Sequence, residues 1–131
     1  DYFLYKYNIS KKDQKRLKII NDFYKQKITS KSFTENRLNT IFYYNGKQAV
    51  LDILNFKMTK SKKINQELLN LTNIYKNKIA PSLPIEASTL MLKYNLSEGK
   101  KLGMKLRLIE KEWVNNDFKI SDKEIDNIIN S

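Results

Sequence analysis

Residues 98–115 read Glu-Gly-Lys-Lys-Leu-Gly-Met-Lys-Leu-Arg-Leu-Ile-Glu-Lys-Glu-Trp-Val-Asn, and their spacing decides the fold class. At about 100° per residue, Leu102, Leu106, Ile109 and Trp113 fall within about 60° of one another, while Lys100, Arg107 and Lys111 point the opposite way. One apolar stripe and one charged face make an amphipathic helix. The same 3.6-residue period recurs along almost the whole chain, which contains only three Gly and two Pro. The expected fold is all-α, a helical bundle of about six to seven helices with body and tail subregions.

Working outward, a short helix is expected at 88–94 and a last one from Ser121, where Ser121 and Glu124 form a capping box. Pro81 and Pro84 bracket the one clear break. It separates a helical body, 1–80, from a helical tail, 81–131, the two packed as one unit. In the body, Ser10 and Asp13 open a helix over 11–28, with Leu17, Ile20, Tyr24 and Ile28 on one face and Lys11, Lys15, Lys18 and Lys25 on another. Thr34 caps a second helix, which Asn45-Gly46 stops. The segment 47–58 is apolar nearly all round and belongs at the bundle centre. Ser61 is expected to cap a helix reaching Ile79, with Ile64, Leu68, Leu71, Tyr75 and Ile79 as its stripe.

The 131 residues include no Cys and no His, which removes disulfides, thiol chemistry, imidazole acid–base work and nearly all zinc chemistry. Net charge is +11, from 25 Lys and Arg against 14 Asp and Glu. Such an excess points to a polyanionic partner. Lys (22), Asn (15) and Ile (15) all have A/T-rich codons, so genome composition is the competing explanation; Arg numbers only three. No run of 18 apolar residues spans a membrane. The opening residues are not a signal peptide. The chain does not begin with Met, which leads us to expect a fragment, and the missing Cys suits a cytoplasmic protein.

Chemistry is hard to place on these residues. No Asp-x-Asp pair, P-loop or G-x-G-x-x-G is present. Glu110 and Glu112 project about 200° apart on a helix and cannot share a metal. Asp52, alone in an apolar segment, reads as the partner of a nearby Lys or as a boundary residue rather than a catalyst. No catalytic residue and no metal site is assigned. The candidate site is an RNA-backbone clamp: the amides of 97–100 at a helix start, with Ser97, Gly99 and Lys100, flanked by Lys93, Lys101 and Lys105. Gly99 and Gly103, at about 1 kcal/mol each relative to Ala, imply a close backbone approach, either by a phosphate or by a neighbouring helix with the lysines merely solvated. Lys11, Lys15 and Lys18 form a secondary basic face. Trp113 and the aromatics of the body (Tyr2, Phe3, Tyr5, Tyr7, Phe42, Tyr43, Tyr44) read as packing residues rather than base-stacking ones.

The run Leu83-Pro84-Ile85, Leu90-Met91, residues 96–103 (Leu-Ser-Glu-Gly-Lys-Lys-Leu-Gly), Leu106, Leu108-Ile109-Glu110, Trp113-Val114 and Asp117-Phe118 resembles the C-terminal tail of bacterial tRNA nucleotidyltransferases, the CCA-adding enzymes and related poly(A) polymerases. A weaker likeness covers Arg37-Leu38, Tyr43-Tyr44-Asn45-Gly46 and Asp52-Ile53-Leu54 in the body. Ala87 and Thr89 stand where that family usually has Gly and Asp. The resemblance implies that these helices hold the tRNA elbow. A catalytic head upstream of Asp1 would then add nucleotides with Mg²⁺ and CTP or ATP. No cofactor and no small-molecule substrate is expected on this part. Two alternatives stay open: a stand-alone nucleic-acid-binding module similar to a helix-hairpin-helix over 88–113, and a helical protein-interaction scaffold.

Overall fold

Seven α-helices make up the regular structure of the computed structural model, which describes residues 9–26, 34–61 and 63–131. They are α1 (Lys11–Lys25), α2 (Glu35–Asn45), α3 (Lys47–Lys60), α4 (Gln66–Asn77), α5 (Ala87–Tyr94), α6 (Lys100–Asn115) and α7 (Asp122–Ile129). There is no β-strand among the described residues, so the fold is all-α. The chain divides into two compact units, Asp1–Ile79 and Ala80–Ser131. Tyr2, Phe3, Tyr5, Tyr7 and Ile28 lie outside the described residues.

In the first unit α3 is the hub, packed against α1, α2 and α4. Its near-continuous apolar character explains this position, since it has three neighbours and little water-facing surface. Leu38 and Phe42 from α2, Val50 and Leu54 from α3, and Leu68 and Tyr75 from α4 form the core. The α2–α3 connection is Gly46 alone, at φ +92°. Nothing lies within 4 Å of a Cβ built there, so this position needs glycine for its backbone angle rather than for space. Asn39 is the buried polar residue of α2. Its Oδ1 accepts from the Tyr75 hydroxyl at 2.8 Å and from Lys78 Nζ at 2.7 Å, which compensates its desolvation.

Two expectations about this unit are corrected. On α1 the buried residue is Phe23, while Leu17 is 45% exposed. Phe23 shares its face with Arg16, seven residues earlier, whose Nε and Nη2 donate to the two carboxylate oxygens of the buried Asp52 at 2.9 and 2.8 Å. The partner of Asp52 is therefore this Arg rather than a Lys. Ser61 ends α3 instead of starting α4, and its hydroxyl donates to the Lys57 carbonyl. Asn65 caps α4, accepting from the amides of Glu67 and Leu68 at 3.0 and 3.3 Å. An Asn carboxamide is among the best N-caps. The shortened helix leaves Ile64 and Ile79 82% and 87% exposed, while Leu68 and Tyr75 are buried.

In the second unit Leu90 of α5, Leu102 and Ile109 of α6, and Ile125 and Ile129 of α7 form the core, with Leu83, Ile85, Leu96 and Leu106 packed against it. Trp113 is 2% exposed, its ring edge-on to Phe118 at 5.1 Å. Ser121 caps α7 reciprocally with Glu124: the Glu124 amide donates to the Ser121 hydroxyl, which donates to the Glu124 carboxylate, each at 3.1 Å.

Candidate nucleic-acid interface

α5 ends at Tyr94, and Asn95 turns left-handed at φ +52°. The Leu96 amide reaches back to the Met91 carbonyl at 3.1 Å, a Schellman-type closure. After this turn Gly99 precedes α6 with φ +150° and ψ −169°, a region open essentially to glycine alone. Gly99 is thus the N-cap and not a first-turn residue as expected. No side chain caps α6, so the amides of its first turn have no partner within the helix. The helix dipole adds its positive end at the same place.

The structure separates the predicted clamp residues into two groups. Ser97, Gly99, Lys100 and Lys101 are all exposed in the turn and the first helical turn, beside the exposed Glu98 carboxylate. Lys105 turns away from them. Its ammonium donates to the Ile128 carbonyl at 2.9 Å, the Ser131 carbonyl at 2.7 Å and the Ser131 hydroxyl at 3.2 Å, closing the C-terminal end of α7. Lys93 belongs to another cluster. It stands 5.3 Å from the centre of the Tyr94 ring, and the Tyr94 hydroxyl donates to Asp126. The Tyr94 phenol, with Asp126 and Asp122 behind it, holds Lys93 above the usual lysine range.

The two glycines have open surroundings. A Cβ built at Gly99 or at Gly103 meets nothing within 4 Å among the described residues, so no helix of the second unit packs closely on either. Around Gly103 on the helix surface lie Lys100, three residues earlier, and Arg107, four residues later, both exposed. Neither they nor Lys101 have an ion-pair partner among the described residues. Sequence reasoning passed over Arg107 as a solvent-facing charge. Its i+4 spacing from Gly103 is the signal that marks it.

A second basic surface lies on α1. Lys11, Lys15, Lys18 and Lys25 are exposed on one face, as their spacing predicts. Arg16 absorbs the nearby acids: it holds Asp52 bidentately and lies 3.6 Å from Asp13. Hydrogen bonding by Arg16, aided by Gln48 at 2.9 Å, keeps the Asp52 carboxyl below its ordinary range against the opposing pull of burial. Beneath this face Tyr24 donates to the Ile53 carbonyl at 2.9 Å, and burial pushes its phenol up to about 12.

Among the described residues no group of three or more His, Cys, Asp or Glu is placed to hold a metal ion, and no helix is long and apolar enough to cross a membrane. No protein-family model matches the sequence, and no curated protein or solved structure matches it.

Proposed function

We propose that this chain is the tRNA-holding body and tail of a tRNA nucleotidyltransferase, acting in the cytoplasm. A separate head would carry out CCA or poly(A) addition with its own Mg²⁺ and CTP or ATP. The observation that carries this reading is the open ground over Gly99 and Gly103. A phosphate backbone can approach α6 closely there, between Lys100, Lys101 and Arg107 and against first-turn amides that no side chain caps. The likeness of the tail to that family supports the same assignment, since these two glycines lie within its motif. Contacts of this kind read phosphates and helical shape and carry no base sequence.

Fluorescence anisotropy with labelled tRNA and with random-sequence duplex DNA of similar length, each over a salt series, tests the reading. The expected result is tighter binding of tRNA, weakening linearly in log salt. Equal affinity for the two would refute the tRNA assignment and leave a general backbone-binding module. Absence of binding to both at physiological salt would leave a protein-interaction scaffold.

A further inference from the structure

The net charge is divided very unevenly between the two units. Residues 1–79 carry 17 Lys and Arg against 6 Asp and Glu, whereas residues 80–131 carry 8 against 8. The whole excess of +11 thus lies on the first unit, and the unit that contains the α5–α6 turn is neutral. Long-range attraction to a polyanion scales with that excess.

We infer that the exposed face of α1, made of Lys11, Lys15, Lys18 and Lys25, is the principal phosphate-backbone docking surface of this chain, with the α6 turn in a subsidiary role. This rests on the nucleic-acid part of the function proposed above and assigns its main electrostatic contact to a different unit. At about 1.5 Å per residue the four ammonium groups are strung along roughly 21 Å of helix, a length over which a duplex presents on the order of 12 phosphate charges. None of the four has an ion-pair partner among the described residues. Asp22 shares the face, whereas Asp13 lies about 160° from Lys11 and 3.6 Å from Arg16. The Arg16–Asp52 pair anchors the opposite side of α1 to α3, about 140° from Lys11.

Charge complementarity selects the occupant. An interfacial helix on a lipid surface inserts apolar side chains beside its cations. On this face the residues are Lys11, Lys15, Lys18, Asp22 and Lys25, and Leu17 lies about 120° away from Lys11. A surface of charge without apolar wedges fits a phosphodiester backbone.

The test compares the slope of log binding constant against log salt for tRNA in the wild-type chain, in the triple variant Lys11→Gln, Lys15→Gln, Lys18→Gln, and in the double variant Lys100→Gln, Arg107→Gln. All five positions are exposed, so circular dichroism and thermal unfolding should match wild type. At ~0.9 per phosphate contact for a duplex, the triple variant should lower the slope by about two to three. The double variant should lower it by less than two. A triple variant whose slope equals that of wild type overturns the inference and leaves the tRNA assignment standing. Wild-type binding of tRNA and duplex DNA with equal affinity refutes the tRNA assignment alone, because α1 is then still judged by its slope. Failure of wild type to bind either nucleic acid overturns both, as does preferential binding to phosphatidylserine vesicles.

Discussion

Replacing Lys105 with Met keeps the length and apolar stem of the side chain and removes its ammonium. The structure makes the consequence calculable. Three acceptors at 2.7 to 3.2 Å around one Nζ belong to the end of α7. A hydrogen bond from a charged donor contributes ~1.5–3 kcal/mol when shielded, and a cation at a helix C-terminus ~0.3–1 kcal/mol when exposed. Lys105 is half-buried, and its Ser131 acceptors are exposed, so the combined loss should be about 1–2 kcal/mol. That is a factor of roughly 5–30 in the opening equilibrium of α7. The effect should be local and visible. α7 has eight residues, fewer than the ~12–15 an isolated helix needs, so its order depends on Ile125, Ile129 and this contact. Hydrogen exchange of α7 amides should accelerate by that factor. Trp113, the single Trp and a buried one, should report earlier unfolding of the second unit in urea. The salt slope for tRNA should stay at its wild-type value. The reasoning is refuted if α7 exchange is unchanged while the slope drops by about one, because Lys105 would then be a phosphate ligand.

Gly103→Ala should raise the stability of the second unit by about 0.5–1 kcal/mol, since the new methyl meets open space; urea unfolding followed at Trp113 measures it. The same variant should weaken tRNA binding if a phosphate passes over this position, and unchanged affinity would remove Gly103 from the interface. Asp52→Asn should destabilise the first unit at neutral pH and flatten its acid dependence, followed by circular dichroism. Because the folded carboxyl lies below its ordinary value of 3.8, the wild-type contribution is fully present above that value and disappears as pH falls through the lower folded one. A wild-type and variant pair with parallel acid unfolding would contradict the assignment of that carboxylate to Arg16.

Helix existence was legible because it is encoded locally. The 3.6-residue period of 98–115, the caps at Ser10 and Ser121, the stop at Gly46 and the break at Pro81 all act within one or two turns. The buried stripe Leu102, Ile109 and Trp113 followed from the same period, and so did the outward row of α1 lysines. Boundaries were less legible where two polar side chains competed for a cap, as Ser61 and Asn65 did, because both satisfy the local rule and the chain geometry between α3 and α4 chooses one.

The sequence by itself determined that this chain folds as helices, carries an excess of positive charge and lacks the Cys and His on which most metal and thiol chemistry depends. Tertiary structure alone decided that Asp52 pairs with Arg16, 36 residues away, and that Phe23 is the buried residue of α1. It also decided that Lys105 serves the end of α7, 23 residues on, and that no helix of the second unit packs over Gly103. A cation's role is set by the nearest acceptor in space. For a long flexible side chain that acceptor lies beyond the reach of any local pattern.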